Sequence, residues 1–289
     1  MSSPPCLRLA LISEVFFGED ADSRLRACLR HAAEHGAKLA VLPELPLDPW
    51  VPATREPNAS DAELPGGPRQ TRLAEAAREA GIAVLGGAIV IDPSDGRRHN
   101  EAIVVDELGH ERGRYAKLHL PAEPGFWETD HYEPGAGALP LLALHGVPFG
   151  IQICSDIQRP QGAHVLAARG ARLLCHPRAT EPETFEHWSL VMRATARTAG
   201  TWIVSVDRPR PEPGVGLGGP SIAIDPTGVV VAQGSETFTF VDVDTARNDD
   251  ARRQYPGYLS VRSDVYATAW SETLAQPAGP ADGSDEPGR

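Results

Sequence analysis

Three residues that follow apolar segments carry side chains that together could perform covalent chemistry. Cys154 follows the apolar run 147–153, and Glu44 and Lys117 each come after another apolar segment. A thiol can act as a nucleophile, a carboxylate can take its proton, and an ammonium can stabilise a developing negative charge. Each residue also has a simpler interpretation. A free cysteine is usually a small buried apolar residue, and the other two could be a solvated loop residue and a strand-edge lysine.

Alternating strands and helices are predicted to bring these segment ends together. Apolar periodicity and glycine stops predict helices over 21–35, 69–80, 162–168 and 182–199. Strands are predicted over 7–13, 39–42, 82–91, 101–106, 114–118, 147–153, 171–175 and 202–206, with a hairpin formed by 221–225 and 229–232. This alternation is typical of a layered α/β protein, in which ligands bind beyond the carboxyl ends of strands. Glu44, Lys117 and Cys154 are therefore expected to converge on one pocket.

The composition argues against several classes of function. The chain has 289 residues and a net charge of -12, which disfavours nucleic acid and anionic membranes as partners. No apolar stretch approaches the roughly 20 residues that span a bilayer, and the N-terminus lacks the regions of a signal peptide, so we expect a cytoplasmic protein. The four cysteines show no CxxC spacing, which argues against a disulfide framework and against a zinc or other metal site.

The segments around the three residues resemble the motifs of the nitrilase superfamily, the carbon–nitrogen hydrolases with a Glu-Lys-Cys triad. Residues 41–44 (Val-Leu-Pro-Glu) resemble the glutamate motif, residues 115–121 the lysine motif, and residues 150–156 (Gly-Ile-Gln-Ile-Cys-Ser-Asp) the cysteine motif. Residues 127–135 resemble the segment with a second active-site glutamate, which maps onto Glu128. The resemblance also includes Asn100, His187–Trp188, 193–197 and 218–228, and it covers about residues 7–245 in the family's order.

The family resemblance implies an α/β fold in the form of a four-layer αββα sandwich. It implies a single carbon–nitrogen hydrolase domain over residues 1–274, followed by a tail over 275–289. The tail is rich in Pro, Gly and Asp and can bury little apolar surface by itself. Members of the family commonly pair across helices, so a homodimer or a larger even homo-oligomer is expected. No cofactor is implied.

The resemblance also implies a mechanism for cleaving a carbon–nitrogen bond. Glu44 would act as general base and Cys154 as the nucleophile that forms a thioester. Lys117 and the backbone N–H of Ser155 would stabilise the oxyanion. Glu128 would hold the substrate or Lys117 in place, and an ordinary salt bridge is the alternative role for this residue.

Residues after the cysteine bear on the substrate. Ser155 and Asp156 stand where true nitrilases usually carry Trp-Glu, which favours a linear small-molecule amide or an N-carbamoyl compound over a nitrile. Arg159 and Arg178 lie on loops after strands whose ends are expected to face the pocket. We hypothesise that one of them binds a substrate carboxylate, since a guanidinium matches that group. The alternative is a surface or interface arginine.

Other chemistries remain open at this point. His119 and His131 could form a Cys–His pair with Cys154, although the family pattern uses His119 structurally. The same triad could hydrolyse a nitrile or transfer an acyl group to an amine. A non-catalytic scaffolding relative and a metal hydrolase are the remaining alternatives. A scaffold is disfavoured because the sequence retains all four candidate catalytic residues: Glu44, Lys117, Glu128 and Cys154.

Overall fold

The computed structural model describes residues 5–274, in which strands and helices alternate along most of the chain. The strands are β1 (Cys6–Ile12), β2 (Leu39–Val41), β3 (Ala62–Glu63), β4 (Ala83–Ile91), β5 (Arg98–Val105), β6 (Glu111–Ala116), β7 (Ala122–Glu123), β8 (Phe126–Trp127), β9 (Leu142–Leu144), β10 (Val147–Ile151), β11 (Leu173–Pro177), β12 (Trp202–Val206), β13 (Ser221–Ile224), β14 (Val230–Gly234) and β15 (Phe238–Asp244). The α-helices are α1 (Ala21–Glu34), α2 (Pro68–Ala80), α3 (Gln161–Ala168), α4 (Phe185–Ala199), α5 (Ala246–Arg253) and α6 (Ser263–Leu274).

Most of the strands form two sheets of similar design. One sheet has the order β15-β1-β2-β4-β5-β6, with β3 beside β4, and the other has the order β14-β13-β12-β11-β10-β9. The neighbours β1, β2 and β4 are parallel in the first sheet, and β10, β11 and β12 are parallel in the second. Antiparallel strands flank each parallel group. Each sheet thus has an edge at which the carboxyl ends of parallel strands meet, where α/β proteins place their sites.

Side chains that alternate along the strands explain how the layers stack. Leu9 of β1 packs in a core shared with Phe149 of β10, so the two sheets face each other. Ile12 of the same β1 strand points the other way and packs with Leu25 of α1. The outer face of the second sheet is covered by α3 and α4, with Met192 in the contact. The order helix, sheet, sheet, helix confirms the predicted αββα sandwich.

The structure differs from the sequence prediction mainly after the predicted hairpin. Strand β15 has an apolar–polar alternation that is interrupted at Phe240–Val241, and it pairs with β1, a partner more than two hundred residues away. Helix α5 carries an almost wholly polar sequence without apolar periodicity. The strand predicted over 147–153 ends at Ile151, and the strand predicted over 114–118 runs from Glu111 to Ala116. Cys154 and Lys117 still follow the ends of these two strands closely.

The described chain divides into a main unit that ends at Gly257 and a second unit that begins at Tyr258 and contains α6. The tail predicted for 275–289 lies outside the described residues, and the single domain over 1–274 stays a prediction. Within residues 5–274, no helix is both long enough and apolar enough to cross a membrane.

Candidate active site

Glu44 lies just beyond β2, on a turn that a buried arginine holds. Leu45 adopts a left-handed backbone with φ of 46°, which is uncommon for a residue other than glycine. Arg208 donates from Nη1 to the carbonyl oxygens of Glu44 at 2.9 Å and Leu45 at 2.7 Å, and from Nη2 to that of Asp48 at 2.8 Å. Its ion pair with Glu212 completes a buried network. The turn is therefore fixed by backbone contacts that leave the Glu44 carboxylate free to point into the protein.

The Glu44 carboxylate has one oxygen fully engaged and one without a partner. Its Oε1 accepts from Asn100 Nδ2 at 2.7 Å and from Lys117 Nζ at 2.8 Å. Its Oε2 is buried and has no hydrogen-bond partner. An unpartnered carboxylate oxygen in a buried site can accept a proton, which is what a general base requires.

Lys117 follows β6 and places its ammonium between two carboxylates. Nζ lies 2.6 and 2.7 Å from the two oxygens of Glu128 and 2.8 Å from Glu44. All three side chains are fully buried. Burial alone would lower the pKa of Lys117, but the carboxylates of Glu128 and Glu44 outweigh it and raise the pKa above its usual range. Lys117 is therefore a fixed cation.

Glu128 begins a short 3-10 turn after β8. Burial raises its pKa to about 7, Lys117 opposes the rise, and Glu44 adds to it. Tyr132 also hydrogen-bonds to Glu128 and receives a hydrogen bond of 3.3 Å from Asn100. The cluster of Glu44, Glu128 and Lys117 contains two carboxylates and only one ammonium. Its net negative charge therefore favours the binding of a proton.

Cys154 opens the 3-10 segment Cys154–Gln158 beyond β10, in a strained conformation. Its φ of 46° lies in the left-handed region, a strain that is common where a side chain must be presented to a site. His176 lies with Nε2 2.8 Å from the Cys154 carbonyl oxygen and Nδ1 2.8 Å from Ser205 Oγ. Since a carbonyl only accepts, Nε2 carries the proton. Burial lowers the pKa of His176 to about 4, so the ring is neutral.

The Cys154 thiol needs a base before it can react. Burial raises its pKa well above the ordinary value, Glu44 acts in the same direction, and Lys117 opposes both. Sγ lies 3.7 Å from the carbonyl oxygen of Ala179. The resting group is therefore a thiol that lies in the field of the Glu44 and Lys117 charges.

Asp156 connects the cysteine turn to the lysine segment. Its Oδ1 accepts from the backbone N–H groups of Leu118 at 3.1 Å and His119 at 3.0 Å, and lies 2.8 Å from His119 Nδ1. Its Oδ2 accepts from Tyr115 Oη at 2.8 Å and from the Ile153 N–H at 3.0 Å. The carboxylate thus joins the loop of one sheet to the loop of the other.

The remaining predicted site residues have different surroundings. Ser155 is half-buried and donates from Oγ to the carbonyl oxygen of His119. Arg159 is exposed at the end of the 3-10 segment, whereas Arg178 is fully buried after β11. His131 lies with Nε2 2.7 Å from the carbonyl oxygen of Thr54. The structure therefore gathers Glu44, Lys117, Glu128 and Cys154 and leaves Arg159 at the surface.

Several polar residues in the site were not recognised from the sequence. Asn100 was noted only as part of a motif, and Tyr132, His176, Asp207 and Arg208 were assigned no role there. For Asn100, His176, Asp207 and Arg208 the available signal is a polar residue within or directly after an apolar strand, whereas Tyr132 follows a 3-10 turn and has no such signal. Among the described residues, no cluster of His, Cys, Asp and Glu side chains is arranged to hold a metal ion.

The model of the carbon-nitrogen hydrolase family matches residues 10–253. This chain belongs to that family. The carbon–nitrogen hydrolase is 30% identical to the omega-amidases NIT2 of Bos taurus and Homo sapiens, and each match covers 90% of this chain and 96% of the relative. Its fold is similar to that of a carbon–nitrogen hydrolase from Helicobacter pylori (TM-score 0.80, 19% identity, 92% of this chain and 99% of the other). It is also similar to Saccharomyces cerevisiae Nit3 (TM-score 0.77, 23% identity, 90% and 100%).

Proposed function

We propose that this carbon–nitrogen hydrolase cleaves a non-peptide amide or N-carbamoyl C–N bond of a small molecule through a thioester on Cys154, releasing ammonia or an amine. The observation that carries the proposal is the fully buried group of Glu44, Lys117 and Glu128 next to the thiol. A buried base with a free oxygen, a fixed cation and a nucleophile are the three parts that acyl transfer needs.

The first half of the reaction forms the thioester. Glu44 Oε2 takes the Cys154 proton as Sγ attacks the carbonyl carbon, so the thiolate never has to exist alone in a buried site. Lys117 and the backbone N–H of Ser155 stabilise the oxyanion of the tetrahedral intermediate. Glu44 then returns the proton to the departing nitrogen, the C–N bond breaks, and ammonia or an amine leaves.

The second half consumes water and restores the enzyme. Glu44 takes a proton from the water while the water oxygen attacks the thioester carbon. The C–S bond then breaks, and Cys154 regains its proton from Glu44. Glu128 holds Lys117 through both carboxylate oxygens, which fixes the direction of the cation throughout. Asp156 has its oxygens committed to five polar contacts and serves to position the two loops.

An amide is favoured as the substrate for two reasons. Ser155 and Asp156 stand in place of the Trp-Glu pair that the resemblance associates with nitrilases. The relatives at 30% identity are named omega-amidases. Nitrile hydrolysis and transfer of the acyl group to an amine use the same triad and are the alternatives.

An ammonia-release screen across small amides, N-carbamoyl amino acids and nitriles tests the proposal. We expect turnover on amides or N-carbamoyl compounds and at least a thousandfold loss in Cys154→Ala. Cys175→Ala is the matched control, because Cys175 is equally buried but lies in the core on β11, and it should retain turnover. Full activity in Cys154→Ala, or turnover of nitriles alone, would refute the proposed function. Hydroxylamine trapping followed by mass spectrometry tests the thioester directly.

A further inference from the structure

Arg178 lies between the nucleophile and the base, directly after β11. Its backbone N–H donates to the carbonyl oxygen of Val206 at 2.9 Å, and its own carbonyl oxygen accepts from the Glu44 N–H at 3.4 Å. The next residue, Ala179, supplies the carbonyl oxygen that contacts Cys154 Sγ. The backbone of Arg178 is therefore part of the wall of the candidate active site.

The Arg178 side chain is a buried cation whose donors are incompletely used. The residue has no exposed surface. Nη2 donates to the carbonyl oxygen of Pro220, whereas Nε and Nη1 have no hydrogen-bond partner. The Phe185 ring, 5.4 Å from the guanidinium carbon, covers another side. A buried donor without a partner costs about 1–3 kcal/mol, so two such donors on one cation indicate a missing acceptor.

The nearby Asp207 does not supply that acceptor. Its Oδ2 lies 3.3 Å from Arg178 Nη1, which is an ion pair without a hydrogen bond. Its oxygens accept instead from the Thr180 N–H at 3.0 Å, Thr180 Oγ1 at 2.6 Å and the Arg208 N–H at 2.8 Å. Asp207 therefore helps to balance the buried charge of Arg178, but the Nε and Nη1 donors of Arg178 remain available to another acceptor.

A glycine packs against the Arg178–Asp207 pair. A Cβ atom on Gly219 would lie 2.4 Å from Asp207 Oδ2 and 3.5 Å from Arg178 Nη2, so only glycine lets the segment before β13 approach the pair. Because Arg178 has no exposed surface, a ligand can contact the guanidinium only if residues packed against it move. The guanidinium is thus a buried cation on the residue that precedes Ala179, whose carbonyl oxygen contacts the thiol.

The geometry points to Arg178 as the binding group for a carboxylate of the substrate. This inference rests on the proposed amide hydrolysis and names its substrate class as a small amide that also carries a carboxylate. The free Nε and Nη1 donors would make charge-assisted hydrogen bonds to that group. Arg159, the other arginine considered from the sequence, is exposed and has no comparable enclosure.

Paired substrates test the inference. Succinamate and succinamide have nearly the same shape and differ in one carboxylate, and N-carbamoyl-β-alanine and its amide form a second pair with the carboxylate on the amine side. The wild-type protein should prefer the charged member of one pair by about 30-fold or more in kcat/KM, the size of a charge-assisted hydrogen bond. The pair that shows the preference identifies the side of the scissile bond that carries the carboxylate.

Substitutions of single arginines show which residue causes the preference for the charged substrate. Arg178→Gln should reduce the ratio of charged to neutral kcat/KM to near one, mainly through a rise in KM for the charged substrate. Arg253→Gln, at an exposed position at the end of α5, is the control and should keep the wild-type ratio. A ratio unchanged by Arg178→Gln, or abolished by Arg159→Gln instead, would overturn the inference.

A measurement on the wild-type protein covers the case in which Arg178→Gln does not fold. Succinate should slow iodoacetamide labelling of Cys154 at concentrations at which butyramide does not, and equal protection by both would overturn the assignment. The proposed function fails separately, because absence of ammonia release from charged and neutral amides alike would reject amide hydrolysis itself.

Discussion

Replacing Glu128 by glutamine should change how the stability of the fold depends on pH. Glu128 is fully buried, and its two oxygens lie 2.6 and 2.7 Å from Lys117 Nζ. Glutamine preserves the shape of the side chain and removes its titration. The variant therefore separates the charge of this carboxylate from its packing.

The size of the effect follows from the shifted proton affinity of Glu128. Burial raises its pKa from 4.5 to about 7. Between these two values the folded state keeps the proton that the unfolded state has lost, so stability falls as pH rises. At 1.36 kcal/mol per pKa unit, the loss amounts to about 3 kcal/mol by pH 7 and stays constant above it. The contribution is fully present below pH 4.5, where both states are protonated.

Urea unfolding of the wild-type protein and of Glu128→Gln at pH 5 and pH 8 measures this difference. The free energy of unfolding of the variant minus that of the wild type should be about 2–3 kcal/mol larger at pH 8 than at pH 5, because glutamine has no proton to lose. Glu186→Gln, on the exposed side of α4, is the matched control. If the stability difference between wild type and Glu128→Gln were the same at both pH values, Glu128 would not hold a raised pKa and the account of the cluster would be wrong.

Three further substitutions probe the site. Lys117→Met leaves two buried carboxylates without their cation and should cost about 3–5 kcal/mol in urea unfolding; wild-type stability would contradict the buried ion pairs. His176→Leu should lower kcat about 10–100-fold at constant KM, while His176→Gln, which can still donate to the Cys154 carbonyl, should recover part of it; equal losses would argue against positioning. Tyr132→Phe removes a hydrogen bond that lowers the Glu128 pKa, so the acidic limb of the kcat–pH profile should move to higher pH, and an unmoved limb would count against that contact.

The strand ends could be predicted from the sequence because apolar periodicity stops there. Glu44, Lys117 and Cys154 each follow a strand closely. Strands β2 and β10 belong to the two parallel groups, and β6 runs in the same direction as β4 because two antiparallel pairings separate them. Strand β15 escaped prediction because its pairing with β1 joins opposite ends of the chain, and no local pattern encodes such a contact. Helix α5 escaped because it lacks an apolar face.

The electrostatics of the site were harder to foresee. Arg178 was expected on a loop near the pocket, but its complete burial depends on Phe185 and Gly219, which come from other parts of the chain. The left-handed backbone of Cys154 has no signal in the sequence, and the histidine that contacts its carbonyl lies on a neighbouring strand. Long-range polar contacts of this kind depend on tertiary packing and leave little trace in local sequence.

The division of the site between the two sheets has a consequence for how activity is acquired. Glu44 and Lys117 follow strands of the first sheet, and Cys154 follows a strand of the second, with Asp156 bridging the loops. Neither half alone contains both a base and a nucleophile. During refolding, recovery of turnover should therefore lag behind the recovery of helix and strand signal until the two sheets dock. A partly folded chain would carry a thiol without its base and cation, so Cys154 becomes able to catalyse turnover only after the two sheets have docked.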